Sequence, residues 1–320
     1  MNIRKEVRAL SATEQLEFIN TLLIMKSRGV YDKYVHWHHE VMVPTVHPDE
    51  PQDPTYRNGA HRGPAFLPWH REMLMQFEAD LQAIKPGITL PYWNWTLDAA
   101  APERSPLWGE GFLGGNGDPT DQFRVQDGVF AHKNGNWPVP SYPEEDLPGP
   151  GLKRQFGQFV SSLPSVEDLQ MAMNEALYDE PNYNASPFTR GLRNRLEGWI
   201  TQRGDPNVKT PGSQLHNRVH LWIGGNMLPM TSPDDPAFFL HHCFVDKVWA
   251  DWQAQKRVDE PDLAAHYCPM EDGPPGHNYE DVLKPWTRRI RDVMDISTLG
   301  YSYAPSQPLI KRPFKSPFME

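Results

Sequence analysis

Apolar residues recur with a helical period in several stretches of the chain. Ser11-Ala12-Thr13-Glu14 has the spacing of a helix N-terminal capping box, and apolar residues follow at near-helical intervals. Positions 30–39 predict a short second helix that is rich in aromatic and histidine residues. Pro68 suits the first residue of a third helix, which extends to Ile84 and places His70 in its first turn.

Four further helices are predicted in the second half of the chain. They are expected over positions 165–177, 186–200, around 215–220, and 235–255. Serine before the first of these is a favourable N-cap, and proline near the start of the second and fourth suits an initial helical turn. Together with the N-terminal helices they predict a mainly α fold with little β structure.

The segment 98–164 interrupts this helical pattern. Gly, Pro, Asn and Asp dominate it, so an irregular backbone is expected. Aromatic side chains such as Trp108 and Trp137 can anchor it to a core, which favours an ordered excursion over a linker. We therefore predict one domain over residues 1–303 and a Pro- and Lys-rich surface tail over 304–320.

Composition excludes several classes of protein. The chain has 320 residues, 38% hydrophobic and 22% charged, which is typical of a globular domain with a proper core. No apolar run approaches the length needed to cross a bilayer, so no membrane partner is expected. The formal net charge of −10 argues against nucleic acid as a partner. Two cysteines are too few for a disulfide framework, and the N-terminus lacks an apolar export segment, so we expect a cytoplasmic protein or one exported only with a partner.

The histidines have a spacing that suggests metal binding. His216 and His220 are four residues apart, so on a helix both imidazoles lie on one face, although such pairs also occur on ordinary helices. A further polar segment, His241-His242 within an aromatic run, needs partners if it is buried, and a metal ion would supply them. His38, His61 and His70 form a second, looser set upstream. Two groups of histidines suggest two metal ions.

The ligand type favours copper over zinc. All-imidazole coordination suits both Cu(I) and Cu(II), and zinc remains the competing metal. A zinc peptidase is disfavoured because Asn217, rather than glutamate, follows His216. Two adjacent copper ions can together transfer two electrons to dioxygen, which gives a chemical reason for paired sites.

Several longer motifs resemble the type 3 copper proteins, and among them the bacterial tyrosinases. The resemblance covers nearly the whole chain, and it is carried by Arg57-Asn58-Gly59-Ala60-His61, by residues 65–72 (AFLPWHRE), by residues 90–95 (LPYWNW), by Leu215-His216-Asn217-Arg218-Val219-His220 and by residues 235–246 (DPAFFLHHCFVD). It implies a four-helix bundle that holds a dinuclear copper centre, with long ordered loops. It also implies copper-dependent oxidation of small phenolic substrates with dioxygen as co-substrate.

The resemblance assigns individual residues to the site. It implies that one copper is held by His38, His61 and His70, and the other by His216, His220 and His242, with His242 selected over His241 because it lies four residues before Asp246. Asp246 itself is expected to orient a ligand imidazole, with pairing to Lys247 or an arginine as the alternative.

Glu197 and Asn217 are the expected catalytic residues. Glu197 has an ordinary interpretation as an i, i+4 partner of Arg193. The resemblance implies more, namely that Glu197 and Asn217 hold a water that deprotonates the incoming phenol. A phenol has a pKa near 10, so forming phenolate at pH 7 costs about 4 kcal/mol without a base or the metal.

The remaining expectations concern the surroundings of the site. Leu221 and Met230 are expected at the substrate mouth, and Cys243 is expected to be a small buried residue. His36, His39, His47, His132, His266 and His277 are expected to be solvated or hydrogen-bonded. No cysteine lies near His61, so the cysteine–histidine crosslink of some relatives cannot form, and because no shielding domain follows Tyr303 the site is expected to be open.

We therefore predict o-hydroxylation of monophenols and oxidation of o-diphenols to o-quinones. The alternatives are an o-diphenol or o-aminophenol oxidase without useful monophenol activity, and a haemocyanin-like dioxygen carrier. A homodimer and a copper-loading partner are both compatible with the sequence.

Overall fold

The computed structural model describes residues 2–42, 58–185, 189–199 and 214–305. Seven α-helices lie within these ranges: α1 (Ala12–Ser27), α2 (Asp32–Met42), α3 (Phe66–Ile84), α4 (Val166–Met173), α5 (Leu192–Glu197), α6 (Leu215–Ile223) and α7 (Ala237–Lys256). Two short strand pairs accompany them: β1 (Asn2–Arg4) runs parallel to β4 (Tyr301–Tyr303), and β2 (Gly117–Asp118) is antiparallel to β3 (Arg124–Val125). The prediction of a mainly α fold with little β structure is confirmed.

Four helices surround the centre of the molecule. Helix α3 packs along α7, where Phe77 stacks on Phe239 with ring centroids 3.6 Å apart. Helix α2 joins them through Tyr34, whose ring meets that of Phe77 edge-on at 5.1 Å. Helix α6 contacts α7 on its other side. These helices carry five of the six predicted metal-binding histidines, and His61 lies in the turn before α3.

Several helix boundaries differ from the predicted ones. Helix α3 begins at Phe66, two residues before Pro68, so His70 lies in its second turn. Pro68 is tolerated there because the first N–H groups of a helix have no intrahelical partner. Helix α4 ends at Met173 rather than at position 177. The predicted ends at 186 and 200 lie outside the described residues.

Glycines at both ends make α5 short. Gly191 and Gly198 have φ of 125° and 112°, a conformation that L side chains rarely adopt. A Cβ at Gly198 would lie 2.1 Å from the carbonyl oxygen of Gln214, so the chain also approaches closely there. The six-residue helix therefore ends at Glu197 and leaves that side chain next to the segment that enters α6.

The excursion over 98–164 is ordered, as predicted. Trp108 and Trp137 are buried, and Arg154 is completely buried in an ion pair with Asp235 at the start of α7. Two hydrogen bonds of 2.7 and 2.9 Å join the Arg154 guanidinium to the Asp235 carboxylate. The excursion is thereby attached to the helix that carries His242.

The N-terminal residues form a strand before α1, which the sequence pattern did not predict. Arg4 of β1 is buried, with Nη2 at 3.0 Å from Glu78 of α3 and its guanidinium 3.7 Å from the centre of the Tyr301 ring. The capping box of Ser11 and Glu14 forms as predicted. The predicted tail falls outside the described residues from position 306 onward. None of the helices in the described part of the chain combines the length and hydrophobicity that a bilayer crossing requires.

Candidate metal centre

The histidines of α6 and α7 form a compact cluster, which we call the second cluster. The Nε2 atoms of His216, His220 and His242 are 3.1, 3.2 and 3.4 Å from one another. His216 and His220 face the same point because they are one helical turn apart, and α7 supplies His242 from the opposite side. An ion placed equally between these three atoms would lie about 2 Å from each, a usual metal–imidazole distance.

His38, His61 and His70 form the first cluster. One ring nitrogen of each residue lies within 4.8 Å of the others. His38 comes from α2, His70 from α3, and His61 from the turn before α3, where Asn58 Oδ1 accepts the N–H groups of Ala60 and His61 at 2.8 and 2.9 Å. The clusters are adjacent, since the rings of His70 and His242 stack with centroids 4.1 Å apart.

Hydrogen bonds fix the orientation of four of these rings. The Nδ1–H groups of His38 and His70 donate to the carbonyl oxygens of Met230 and Phe66, at 2.6 and 2.8 Å. His220 Nδ1 donates to the carbonyl oxygen of Met227 at 2.6 Å. His216 Nδ1 lies 2.9 Å from Asn217 Oδ1. Each bond places the proton on Nδ1 and leaves a lone pair on Nε2.

The surroundings keep the rings neutral. Burial lowers the pKa of all six histidines, to about 3 for His38 and to about 4 for His220. Within the described residues, the buried Nε2 atoms of His38 and His70 have no hydrogen-bond partner. Converging lone pairs on neutral, buried imidazoles repel one another unless a cation lies between them. The donor sets therefore fit two metal ions, and all-imidazole coordination suits copper.

His241 also belongs to the second cluster by distance. One of its ring nitrogens lies within 4.8 Å of those of the three other histidines, and its ring stacks on His216 at 5.0 Å. Geometry alone therefore allows either His241 or His242 as the third ligand. Of these two residues, both in the described part of the chain, only His242 forms contacts with hydrogen-bond geometry, of 3.2 and 3.4 Å, from its Nε2 atom to the Nε2 atoms of His216 and His220.

Glu197 lies at the end of α5 beside the second cluster and is completely buried. Its Oε1 accepts the backbone N–H of Arg62 at 2.5 Å, and its Oε2 lies 3.2 Å from Arg193 Nη1. Arg193 is shared, because its Nη2 lies 2.6 Å from Asp179. Burial raises the pKa of Glu197 above its ordinary value, although Arg193 opposes the rise. The i, i+4 pair with Arg193 is thus present, but it is a buried pair next to a candidate metal site.

Asn217 links Glu197 to the second cluster. A Cβ placed on Gly198 would lie 3.1 Å from the Cβ of Asn217, so the two segments are in contact. The backbone carbonyl oxygen of Glu197 is 3.3 Å from His216 Nδ1, the same atom that meets the Asn217 side chain. Both predicted catalytic residues therefore touch one ligand candidate.

Several residues of the second cluster and its neighbourhood are half-buried. Asn217, His220, Leu221 and Met230 are half-buried, whereas His216 and His242 are buried. Met230 also acts through its backbone, since its carbonyl oxygen binds His38. No sequence pattern identifies such a carbonyl group, so this contact was missed.

The prediction that Asp246 orients a ligand imidazole is wrong. Asp246 Oδ1 pairs with Arg71 Nε at 2.5 Å, and Oδ2 accepts from Tyr301 and Tyr303 at 2.7 and 2.5 Å and lies 3.4 Å from Arg4. Burial alone would raise the pKa of Asp246, but the two arginines and the two hydroxyls outweigh it and lower the pKa. Asp246 therefore joins α7 to α3 and to the β1–β4 strand pair. Pairing with an arginine was the alternative expected from the sequence.

Other residues follow the predictions in part. Cys243 is buried, as expected, and burial raises the pKa of its thiol to about 12. His36 is exposed and lies 3.1 Å from Glu40, whereas His47 is outside the described residues. His266 and His277 are buried and hydrogen-bonded, which is the second of the two expected alternatives. Their hydrogen bonds explain this, because His266 Nε2 lies 2.7 Å from the Glu260 carbonyl oxygen.

His277 supports the turn that carries His61. Its Nδ1 accepts the backbone N–H of Ala65 at 3.0 Å. A Cβ at Gly63 would lie 2.6 Å from its Cε1, so the turn packs directly on the imidazole. The sequence offered no signal for this role, because His277 is distant in the chain and lies in a polar loop.

Comparison with known proteins identifies the class. The sequence model described as the common central domain of tyrosinase matches residues 28–255. Grixazone synthase of Streptomyces griseus is 36% identical over 321 residues, covering 95% of this chain and 99% of that protein. Tyrosinase of Streptomyces glaucescens is 38% identical over 287 residues, covering 89% of this chain and 93% of that protein.

Solved structures share the fold. A polyphenol oxidase of Thermothelomyces thermophila has a TM-score of 0.68 at 24% identity, covering 95% of this chain and 89% of that chain. A functional unit of octopus hemocyanin has a TM-score of 0.56 at 19% identity, covering 95% of this chain and 68% of that chain. The helical fold and the paired histidine clusters define a type 3 copper protein with two copper ions as its cofactors. Within that class the chain belongs to the tyrosinase family, whose members oxidise phenols.

Proposed function

We propose that this chain both hydroxylates monophenols to o-diphenols and oxidises o-diphenols to o-quinones, with dioxygen as co-substrate. In this proposal His38, His61 and His70 bind one copper, and His216, His220 and His242 bind the other. When bound, the copper pair supplies reversible two-electron exchange with dioxygen. The observation that carries the hydroxylating step is the completely buried carboxylate of Glu197, a residue whose backbone carbonyl oxygen lies 3.3 Å from His216 Nδ1 of the second cluster.

Glu197 is the proposed base for the phenol. Forming phenolate at pH 7 costs about 4 kcal/mol, and a carboxylate with a raised pKa accepts a proton more readily than an ordinary one. The hydrogen bonds from Arg62 and Arg193 fix the carboxylate, which can accept about four hydrogen bonds in all and so retains capacity to accept from a water. Glu197 can therefore take the phenol proton, through a water held with Asn217, while the ring enters from the half-buried side.

Apolar side chains orient the substrate ring in this scheme. We place the half-buried Leu221 and Met230 at the substrate mouth. Phe66 and Phe238 lie among the histidine rings, with ring centroids 4.9 Å from His216 for Phe66 and 4.1 Å from His242 for Phe238. A flat aromatic ring gains dispersion contacts from such walls and excludes water from the site. An o-diphenol binds in the same place but needs less help from a base, because it is more acidic than a monophenol.

The main rival is an oxidase that accepts only o-diphenols or o-aminophenols. It has the same copper ligands and differs in whether Glu197 contributes to the reaction. The dioxygen carrier is disfavoured because His220 of the second cluster is itself half-buried, so this cluster is not completely closed to solvent.

The test compares oxygen uptake with a monophenol and with the matching catechol. Glu197→Gln keeps the shape of the side chain but removes the base, so the monophenol rate should fall by about 10²-fold or more while the catechol rate changes little. Glu175→Gln is the matched control, because Glu175 pairs with Arg195 of the same short helix at 2.5 Å without being one of the residues assigned to the site. It should leave both rates unchanged.

An equal fall on both substrates in Glu197→Gln would show that Glu197 is structural. Asn217→Ala gives a further contrast. Since the Asn217 side chain also accepts the ring N–H of His216, that variant should lower both rates.

A further inference from the structure

One short loop contacts a histidine of each cluster. The loop over residues 225–230 follows α6, and its two methionine carbonyl groups point to opposite clusters. The Met227 carbonyl oxygen accepts from His220 Nδ1 of the second cluster, and the Met230 carbonyl oxygen accepts from His38 Nδ1 of the first, both at 2.6 Å. The other two rings with a fixed orientation bond to residues close to them in the sequence. His70 donates to the Phe66 carbonyl oxygen of its own helix, and His216 bonds to the Asn217 side chain. The 225–230 loop is therefore a shared support.

Asn226 attaches this loop to the excursion. Its Oδ1 accepts the backbone N–H of Lys153 at 2.7 Å, and its own N–H donates to the Lys153 carbonyl oxygen at 3.0 Å. The residue is 1% exposed, so water does not compete for these bonds. This two-point contact immediately precedes Met227 and lies four residues before Met230, the residues that carry the two carbonyl groups.

The backbones of the 225–230 loop and of the 153–155 segment are in close contact here. Gly225 has φ of 51°, and a Cβ there would lie 2.2 Å from the Lys153 carbonyl oxygen. Gln155 N–H donates to the Ile223 carbonyl oxygen at 2.9 Å just before the loop. A displacement of the loop from the 153–155 segment would consequently move both methionine carbonyl groups.

We infer that Asn226 is a positioning residue for both copper sites, acting through the carbonyl groups of Met227 and Met230. The inference rests on the proposed ligands. A carbonyl group that accepts Nδ1–H fixes the ring and strengthens Nε2 as a ligand, and loss of such a partner typically weakens metal binding by about 10–100-fold. Because the loop serves His38 and His220 together, loss of the Asn226 contact weakens both sites.

Copper affinity of the metal-free protein, measured by competition with a chelator, tests this directly. Asn226→Ala should weaken both sites by about tenfold or more. In a His220→Ala background the remaining strong site is the first one, and adding Asn226→Ala must still weaken it. In a His38→Ala background the same substitution must weaken the second site. Asn226→Asp retains the acceptor for Lys153 N–H and should keep both affinities within about threefold of the unmodified protein.

Controls separate the possible failures. Asn116→Ala removes a comparable bond, from Phe156 N–H to Asn116 Oδ1 at 2.9 Å, and should leave copper binding unchanged. If Asn226→Ala does not fold, as judged by thermal unfolding of the metal-free protein, Gly225→Ala displaces the same contact and should give the same joint loss. Wild-type affinity at either site in the Asn226→Ala or Gly225→Ala protein would overturn the inference, as would an Asn226→Asp protein as weak as Asn226→Ala. If His38→Ala and His220→Ala each retain two tightly bound coppers, the ligand assignment itself is wrong and the inference falls with it.

Discussion

The two histidine clusters differ in how the chain builds them. In the second cluster, two of the proposed ligands come from one turn of α6 and the third from α7, and their Nε2 atoms lie within 3.4 Å of one another. In the first cluster, α2, a turn and α3 each supply one histidine. The ring centroids are 4.9 to 5.9 Å apart in the first cluster and 4.6 to 5.6 Å apart in the second, so the clusters are similarly compact although they are built differently. The second cluster therefore depends mostly on helix geometry, and the first on the packing of separate segments.

The largest expected effect tests the ligand set of the second cluster. His242→Ala removes a nitrogen that lies within 3.4 Å of both other ligands, so bound copper should fall from two ions to one and oxygen uptake should be lost. His241→Ala is the matched control, since His241 is equally buried and adjacent in sequence. It should retain both coppers by elemental analysis. The opposite result for the two variants would transfer the ligand role to His241.

The two clusters should make similar contributions to the acid sensitivity of the metal-free protein, measured as the fall in its free energy of unfolding. Burial lowers the pKa of His38 to about 3 and that of His220 to about 4, below the ordinary value of 6.5. From pH 6.5 downward, the unfolded metal-free chain binds protons that the folded one does not, so the free energy of unfolding should fall as the pH falls. Each of these histidines should contribute about 2 kcal/mol of the loss between pH 6.5 and 4.5.

Urea unfolding of the metal-free protein at several pH values measures this loss. His38→Phe and His220→Phe should each reduce the pH dependence by about one proton, whereas His36→Gln on the exposed side of α2 should leave it unchanged. A pH dependence that is the same in all three variants would mean that the rings are not held neutral by burial.

A smaller effect should separate the clusters through His277. His277→Phe keeps a ring next to Gly63 but removes the acceptor for Ala65 N–H, which costs about 1–3 kcal/mol of stability. Since the turn carries His61, copper affinity at the first site should fall by about tenfold while the second site is unaffected. His266→Phe is the control, because it removes another buried histidine bond, to Glu260, and should lower stability without changing copper binding. If His277→Phe weakened copper binding equally at both sites, the expectation that His277 supports the first cluster alone would be wrong.

The contrast between the clusters also explains what the sequence could predict. The spacing of His216 and His220 is local information, and a helix converts it directly into geometry. The first cluster has no such spacing, so the sequence grouped His38, His61 and His70 only loosely, and the resemblance to a family assigned all three to one copper. The same holds for the selection of His242 over His241, which periodicity does not distinguish.

Long-range contacts account for the residue roles that the sequence did not predict. Asp246 lies one turn after His242, which suggested a role at the metal, but Arg4 and Arg71 from distant parts of the chain bind it instead. His277 was expected to be solvated or hydrogen-bonded, and its hydrogen bond joins a turn more than 200 residues upstream, at Ala65, which the sequence did not indicate. The carbonyl groups of Met227 and Met230 have no sequence signature, since any residue supplies the same atom. Helix existence was predictable from periodicity, whereas ends such as that of α5 depended on close backbone approach at Gly198.

The smallest expected effect concerns the substrate side of the second cluster. Leu221 directly follows His220 and is half-buried, so it offers dispersion but no charge to a substrate carboxylate. The net charge of −10 also gives poor long-range attraction for anions. Tyramine should therefore have a higher kcat/KM than tyrosine, and Leu221→Arg should narrow that gap by up to about fivefold, because a partly exposed charge contact is worth about 1 kcal/mol. Leu221→Met is the uncharged control and should leave the ratio unchanged. A higher kcat/KM for tyrosine with the unmodified enzyme, or an unchanged ratio in the arginine variant, would show that Leu221 does not set the preference at this side of the cluster.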